Sequence, residues 1–159
     1  MQTILITGAS SGFGRDIAET LAAQGHRVFA GVREIGGRNA EVSAQLKAKG
    51  ATPVGLDVTE DASVDAAVRQ VLGASGGELD VLVNNAGIAS AGVSESFTPD
   101  QVRDLFEVNV FGVQRLLRAA LPTFRKQGSG LVIRSARFSA ASPSRSSAST
   151  ARRNSRSRA

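Results

Sequence analysis

A glycine-rich segment near the start of the sequence, Thr7–Gly14 (TGASSGFG), has residue types suited to binding a phosphate group. An apolar run typical of a strand precedes it, and a helical pattern follows it. Glycine lets the backbone turn tightly, and the N–H groups of a helix N-terminus attract an anion. A glycine-rich turn without a ligand is the alternative, because short glycine motifs also occur without one. The strand–turn–helix context favours a dinucleotide pyrophosphate site that comprises Gly8, Ser10, Ser11, Gly12, Phe13 and Gly14.

Polar and small residues follow two later apolar runs. Asp57 and Val58 come after the run Thr52–Leu56, and the Asp57 carboxylate can accept a hydrogen bond from an adenine amino group. The alternative for Asp57 is an ordinary turn at a strand end. The segment Asn84-Asn85-Ala86-Gly87 ends the next run and offers small residues and side-chain amides to a cofactor. A purely structural clamp is the alternative for that segment.

One asparagine interrupts a helical pattern. Asn109 stands between Val108 and Val110, and asparagine is a poor helix former. Near an active site such a residue can bind an ordered water and interrupt the backbone hydrogen bonds of the helix. The alternative, a solvated surface side chain, fits less well between two valines.

Short apolar runs alternate with longer helical patterns, which predicts βαβ units and a parallel sheet. The predicted strands are Thr3–Thr7, Arg27–Val32, Thr52–Leu56, Leu79–Val83 and one beginning at Leu131–Ile133. The predicted helices are Arg15–Gln24, Asn39–Lys49, Ser63–Leu72 and a long one from Pro99 to about Lys126, broken or kinked near Gly112 or Pro122. Thr98 and Gln101 form a capping-box pattern at the start of the long helix. The fold class is α/β, a Rossmann-like doubly wound parallel sheet, incomplete, with about five strands.

The charge and composition change abruptly after residue 133. The formal net charge is +5, but seven arginines and no acid follow Ile133, which leaves −2 for residues 1–133 (12 basic, 14 acidic). Of the 25 residues in 135–159, 21 are Ser, Ala or Arg. Such a segment buries too little apolar surface to offset its ordering entropy, so residues 134–159 are predicted to be a disordered tail.

The composition also narrows the classes of protein. The sequence has no cysteine and one histidine, so no metal site is expected. The sequence has no run of 18 apolar residues, so no membrane span is predicted, and no basic leader precedes the first strand. We expect a cytoplasmic protein.

The motif TGxxxGxG, followed in order by Asp57-Val58, Asn84–Gly87 and Asn109, resembles the short-chain dehydrogenase/reductase family over residues 2–133. The resemblance implies an NAD(P)-binding Rossmann domain over residues 1–133 and hydride transfer between nicotinamide and a small alcohol or ketone. It implies that Asp57 contacts adenine, that Val58 beside it belongs to the cofactor site, and that Asn85, Ala86 and Gly87 belong to the family's NNAG motif at the cofactor. Asn109 matches the asparagine of the family's Asn-Ser-Tyr-Lys tetrad. A homo-oligomer is also implied, with an interface that this sequence leaves incomplete.

The end of the second strand bears on the choice of dinucleotide. In such dehydrogenases an acid there binds the ribose 2′-OH of NAD, and a basic residue accommodates the 2′-phosphate of NADP. Val32 aligns with the acid and Arg33 follows it, which favours NADP. NAD stays possible because of Glu34: if the alignment of this strand end is shifted by two residues, Glu34 becomes the acid that binds the ribose 2′-OH. Arg38 could add to a phosphate site or be solvated.

The sequence departs from the family pattern in its last part. It contains no tyrosine, and its last lysine is Lys126, so the family's catalytic YxxxK motif is not matched. A truncated or frame-shifted enzyme, inactive as written, is the favoured interpretation. In a frame shifted by one base near Arg134, Thr150 permits Tyr and Asn154 permits Lys, at the spacing of YxxxK. Sequencing the gene across the Arg134 codon tests this hypothesis.

Two other functions remain open. In the first, the chain is a non-catalytic protein that binds a dinucleotide. This function requires a stable fold, although an apolar fifth strand would lie at the edge of the sheet. In the second, the Arg/Ser tail binds nucleic acid phosphates non-specifically. No aromatic residues interleave the arginines of the tail, so nucleic-acid binding is disfavoured.

Overall fold

The computed structural model describes residues 1–90 and 92–135. The strands are β1 (Thr3–Ile6), β2 (Arg27–Val32), β3 (Thr52–Gly55), β4 (Val81–Asn84) and β5 (Leu131–Arg134). The helices are α1 (Gly12–Ala23), α2 (Ala40–Ala48), α3 (Asp61–Ser75), α4 (Pro99–Phe106) and α5 (Gly112–Gln127). A π segment, Glu107–Phe111, joins α4 to α5, and a 3-10 turn covers Ser94–Ser96. Of the predicted tail over residues 134–159, Arg134 belongs to β5, and residues 136–159 lie outside the described residues.

The five strands form one parallel sheet in the order β3-β2-β1-β4-β5. In the central strand, Ile4 lies opposite Val28 of β2 and Val81 of β4. The strand order reverses between β1 and β4, and ligands of such sheets bind at the carboxyl ends of the strands at that point. The predicted Rossmann-like α/β fold with five parallel strands is confirmed.

Helices cover both faces of the sheet. Leu5 of β1 packs into a core that α3 and α5 share, with Val68 and Leu116 among its members. Ile4 and Ile6, on the opposite face of β1, pack with Ala18 of α1 and Leu46 of α2. Strands buried on both faces explain the nearly continuous apolar runs of the sequence.

Several predicted boundaries were wrong by a few residues. Helix α1 begins at Gly12 rather than at Arg15, because the extended Ser11 already acts as its N-cap residue. Helix α3 spans Asp61–Ser75 rather than Ser63–Leu72, and Gly76 with φ +75° ends it. Strand β4 begins at Val81 rather than at Leu79 and includes Asn84.

The capping box at the start of α4 is confirmed. Thr98 Oγ1 accepts from the Gln101 N–H at 3.3 Å, and Gln101 Oε1 accepts from the Thr98 N–H at 2.9 Å. The long helix is interrupted by the π segment, which ends where α5 begins at Gly112. Helix α5 then continues through Pro122. In the part of the chain that is described, no helix combines the length and the apolar character needed to span a bilayer.

Candidate functional site

A cleft opens at the carboxyl ends of the strands, where the strand order reverses. It passes from the β1–α1 turn across the ends of β2 and β3 to the end of β4. Its lining residues are Gly8, Ser10, Ser11, Gly31, Arg33, Leu56, Asp57, Val58, Asn85, Ala86, Gly87, Ile88 and Val108. Two of these residues carry a charge, Arg33 a positive one and Asp57 a negative one.

The turn between β1 and α1 presents a helix N-terminus to this cleft. Ser11 is the N-cap residue of α1, and its side chain makes no capping hydrogen bond. No acid occupies the first turn of α1. The first backbone N–H groups of a helix have no partner within the helix, so they suit an anionic group. This end of α1 therefore fits a pyrophosphate.

Gly8 is required by the local geometry. Its φ is +68°, and a Cβ on it would lie 2.8 Å from the Cα of Ala86. A side chain at this position would be strained by the backbone conformation and would also clash with the β4 loop. The absence of a side chain lets the turn lie directly against Ala86.

The threonine before this turn joins β1 to the end of β4. Thr7 is buried, and its Oγ1 accepts from the N–H groups of Asn85 and Ala86 at 3.0 and 2.9 Å. The Asn85 amide donates in return to the carbonyl oxygens of Thr7 and Gly8, at 3.0 and 3.2 Å. These contacts support the clamp interpretation of Asn85, and they hold Ala86 and Gly87 at the cleft.

Asp57 combines a turn-forming role with a place in the cleft. Its Oδ1 accepts from the backbone N–H and the hydroxyl of Thr59, at 2.9 and 2.7 Å. The Asp57 N–H donates to Ser63 Oγ at 2.9 Å, so both ends of the loop between β3 and α3 are fixed. Within residues 1–90 and 92–135, no group donates to Asp57 Oδ2, which leaves an acceptor for a ligand.

Arg33 and Glu34 differ in their surroundings. Arg33 is exposed and lines the cleft beside Gly31. Glu34 adopts φ +48°, and its carboxylate pairs with the guanidinium of Arg38 at 3.0 Å, while neither residue lines the cleft. The cation of this loop that lines the cleft is therefore Arg33.

Asn109 lies in the π segment and bridges to the loop after β4. Its Nδ2 donates to the carbonyl of Ile88 at 2.8 Å, and its Oδ1 accepts from the N–H of Ile88 at 3.0 Å. Arg134 of β5 donates to the main-chain carbonyl of Asn109 at 3.0 Å. Asn109 and Arg134 line a second cavity together with Asn84. Asn84 is only 3% exposed, and its Nδ2 has no hydrogen-bond partner in the described part of the chain.

Nine of the twelve predicted cofactor residues line the cleft, and three from the glycine motif do not. Phe13 is 76% exposed, Gly12 has open space around its Cα, and Gly14 is buried against Gly8 and Asn85. A binding role for all twelve stays a prediction. Four other residues line the cleft that no sequence pattern had indicated, namely Gly31, Leu56, Ile88 and Val108. The position of Val108 beside Asn109 is a signal that could have found one of them.

Comparison with known proteins gives one consistent result. The family model described as "short chain dehydrogenase" matches residues 2–148. A 3-ketodihydrosphingosine reductase of Bacteroides thetaiotaomicron is 39% identical over 132 residues, which cover 83% of this chain and 45% of that protein. This chain spans about half the length of the curated relatives it matches.

Solved structures agree with the sequence comparison. A short-chain dehydrogenase from Streptomyces avermitilis has a TM-score of 0.75 at 43% identity, over 84% of this chain and 48% of that one. An alcohol dehydrogenase from the archaeon Thermococcus sibiricus, complexed with 5-hydroxy-NADP, has a TM-score of 0.73 at 33% identity, over 84% and 57% of the two chains. The chain therefore belongs to the short chain dehydrogenase family, a family of NAD(P)-binding oxidoreductases.

Proposed function

We propose that the cleft binds NADP, and that the activity served by this site is hydride transfer between the nicotinamide and an alcohol or ketone carbon. The observation that carries the proposal is the uncapped N-terminus of α1, which meets the carboxyl ends of β1 and β4 across the Thr7–Asn85 contacts. The pyrophosphate would lie on this helix end, between the strands where the sheet order reverses. The alcohol dehydrogenase that is similar to this chain was solved with an NADP derivative, which supports the choice of ligand class.

Arg33 supports NADP rather than NAD. A 2′-phosphate is an anion that a guanidinium can bind with two parallel hydrogen bonds. Arg33 lines the cleft, whereas Glu34 does not line it and its carboxylate pairs with Arg38. The ribose end of the dinucleotide therefore meets a cation in this site.

The chain of 159 residues would bind the dinucleotide without turnover. Bound nicotinamide supplies the hydride acceptor or donor, but the proton at the substrate oxygen needs a general acid or base. The sequence has no tyrosine to hold that proton, and general acid–base catalysis contributes on the order of 10²–10⁴ in rate. Asn109 would act by holding the loop after β4 through its two hydrogen bonds to Ile88.

A fluorescence titration with NADPH and NADH tests this proposal. We expect Arg33→Ala to raise the Kd of NADPH about tenfold, since a charge-assisted hydrogen bond at an exposed site contributes about 1.4 kcal/mol. The Kd of NADH should change little, because NADH lacks the 2′-phosphate. Equal losses for both dinucleotides would contradict the role of Arg33.

Two matched variants serve as controls. Arg38→Ala removes a cation from the same loop that does not line the cleft, so a smaller effect on NADPH is expected. Glu34→Gln tests the alternative in which this carboxylate binds the ribose 2′-OH. If Glu34→Gln weakens NADH binding while Arg33→Ala leaves NADPH binding unchanged, the site is an NAD site.

A further inference from the structure

We propose that Arg115 is a positioning residue that holds the π segment and the strand-end loop at Val58 together, and thereby sets the shape of the dinucleotide cleft. This inference rests on the proposed function, because its effect is read through dinucleotide binding. Arg115 does not line the cleft itself; it lines a groove on the outer side, with Asp61, Asp65 and Arg118 among its neighbours. It would act on the site through Val58 and the π segment.

The guanidinium of Arg115 contacts three separate segments. Its Nε donates to Asp61 Oδ1 at 2.5 Å, at the first residue of α3. Its Nη2 pairs with Glu107 Oε1 at 2.5 Å, at the first residue of the π segment. Its Nη1 donates to the carbonyl of Val58 at 3.3 Å. A planar guanidinium with five donors can satisfy three such partners at once, which an ammonium group on a lysine cannot reproduce in the same geometry.

Two of these partners carry residues of the cleft. Val58 lines the cleft beside Asp57, and the π segment contributes Val108 to the same wall. The following residue of the π segment, Asn109, holds Ile88 by two hydrogen bonds. A shift of the π segment against Val58 would therefore move both the cleft wall and the loop after β4.

The start of α5 packs closely against Val58. A Cβ on Gly112 would lie 2.8 Å from Val58 Cγ2 and 3.2 Å from the Val58 carbonyl oxygen. This approach lets the first turn of α5 lie directly on Val58. Arg115 lies one turn further along α5, so its contacts to Val58 and Glu107 fix the same junction from the next turn.

The charges around the guanidinium favour this arrangement. The Arg115 side chain is 22% exposed, against 78% for Asp61 and 38% for Glu107. Burial acts to lower the pKa of Arg115, but the hydrogen bonds and charges of Glu107 and Asp61 outweigh it and raise that pKa. A guanidinium stays protonated in proteins, so this cation does not depend on pH over the ordinary range.

The segment that Arg115 contacts through Glu107 is the π segment. A π-helical turn inserts one extra residue into the helix, and such turns are frequent at functional sites. The Glu107–Arg115 pair spans the π segment and the first turn of α5, so it links the two sides of the insertion. Loss of the pair should let the π segment relax toward a regular helix and displace Asn109.

The test compares Arg115→Gln, Arg115→Lys and the control Arg118→Gln. Arg118 is on the same helix and lines the same groove, but it forms no ion pair within residues 1–90 and 92–135. We expect Arg115→Gln to raise the Kd of NADPH about tenfold. Arg115→Lys should restore part of the binding, because it keeps the charge but cannot reach all three partners. Arg118→Gln should bind as the wild type does.

Hydrogen exchange of the Ile88 amide gives a readout that needs no ligand. This N–H donates to Asn109 Oδ1, so its exchange should become several-fold faster in Arg115→Gln and stay unchanged in Arg118→Gln. If the wild type fails to bind NADPH, the proposed function is wrong, and the exchange rate still decides the role of Arg115. An Arg115→Gln protein with wild-type NADPH affinity and a wild-type Ile88 rate would overturn the inference.

A second variant covers the case in which Arg115→Gln does not fold. Glu107→Gln removes the negative charge from the contact to the π segment, and it leaves those of Arg115 to Asp61 and Val58. We expect the same direction of change in NADPH affinity and in Ile88 exchange, with a smaller size. A lower Tm without either change would mean that the ion pairs serve stability alone, and would overturn the inference.

Discussion

Thr7 shows how one buried hydroxyl can organise the meeting point of two strands. Its oxygen accepts from the N–H groups of two successive residues after β4, while Asn85 returns two hydrogen bonds to the turn after β1. Backbone groups that leave a sheet need other partners, because buried unpaired N–H groups are costly. The chemistry of the site therefore depends on a residue that does not itself line the cleft.

Replacing Thr7 by valine should destabilise the protein by about 2 kcal/mol. Valine keeps the shape of the side chain but leaves the Ala86 N–H without its acceptor, whereas the Asn85 N–H keeps the Val83 carbonyl at 3.1 Å; a desolvated donor without a partner costs about 1–3 kcal/mol. Urea denaturation monitored by circular dichroism measures the free energy of unfolding. Thr7→Ser keeps the oxygen and loses one methyl group, so it should be destabilised by only about 0.8 kcal/mol. Equal stability of Thr7→Val and wild type would contradict the role of the hydroxyl.

At the scale of secondary structure, the sequence was sufficient for the strands, the sheet class and the capping box, but not for the π segment. The strands are found because Thr3–Ile6 and Val81–Asn84 are buried on both faces and read as apolar runs. The run Glu107–Phe111 has no local signal other than Asn109, since its apolar residues fit an α-helix as well as a π-helix. Val58 packs against the end of this segment and accepts a hydrogen bond from Arg115, but it is distant in sequence and meets the helix only in the fold.

The same reason limits prediction of the cleft. The glycine motif, Asp57 and Asn85–Gly87 carry recognisable residue types at strand ends, where a parallel sheet binds its ligand. Gly31, Leu56 and Val108 are ordinary core residues by type, and only the register of β2 and β3 and the packing of the π segment bring them to the cleft. Sequence patterns therefore identify polar ligand contacts better than the apolar walls between them.

The capping box of α4 should contribute measurably to stability. Thr98→Ala removes the acceptor of the Gln101 N–H, and loss of an N-cap side chain costs about 1 kcal/mol. Thr98→Ser keeps this oxygen and should remain within a few tenths of a kcal/mol of wild type. Thermal denaturation of the three proteins checks the order. Hydrogen exchange of the Asn109 amide is a second readout, because α4 leads into the π segment. An unchanged exchange rate in Thr98→Ala would show that α4 frays independently of the π segment.

At the scale of the whole molecule, the cleft joins the two halves of the sheet. Residues of β2 and β3 supply one side, and the loop after β4 supplies the other, with the turn of α1 between them. A ligand that contacts both sides binds the folded state and not the unfolded chain. Binding at this position must therefore stabilise the fold as a unit.

Bound dinucleotide should raise the thermal stability of the chain. At a free NADPH concentration of about 100 times the Kd, mass action stabilises the folded state by about 2.7 kcal/mol. For a chain of this size, each kcal/mol corresponds to about 2–4 °C, so Tm should rise by about 5–10 °C. Differential scanning fluorimetry with NADPH measures the shift, and Arg33→Ala at the same NADPH concentration should show a smaller one, because its cleft has lost the cation that faces the 2′-phosphate. A folded wild-type protein whose Tm does not respond to NADPH or NADH at millimolar concentration would mean that the cleft is a structural relic of the family rather than a binding site.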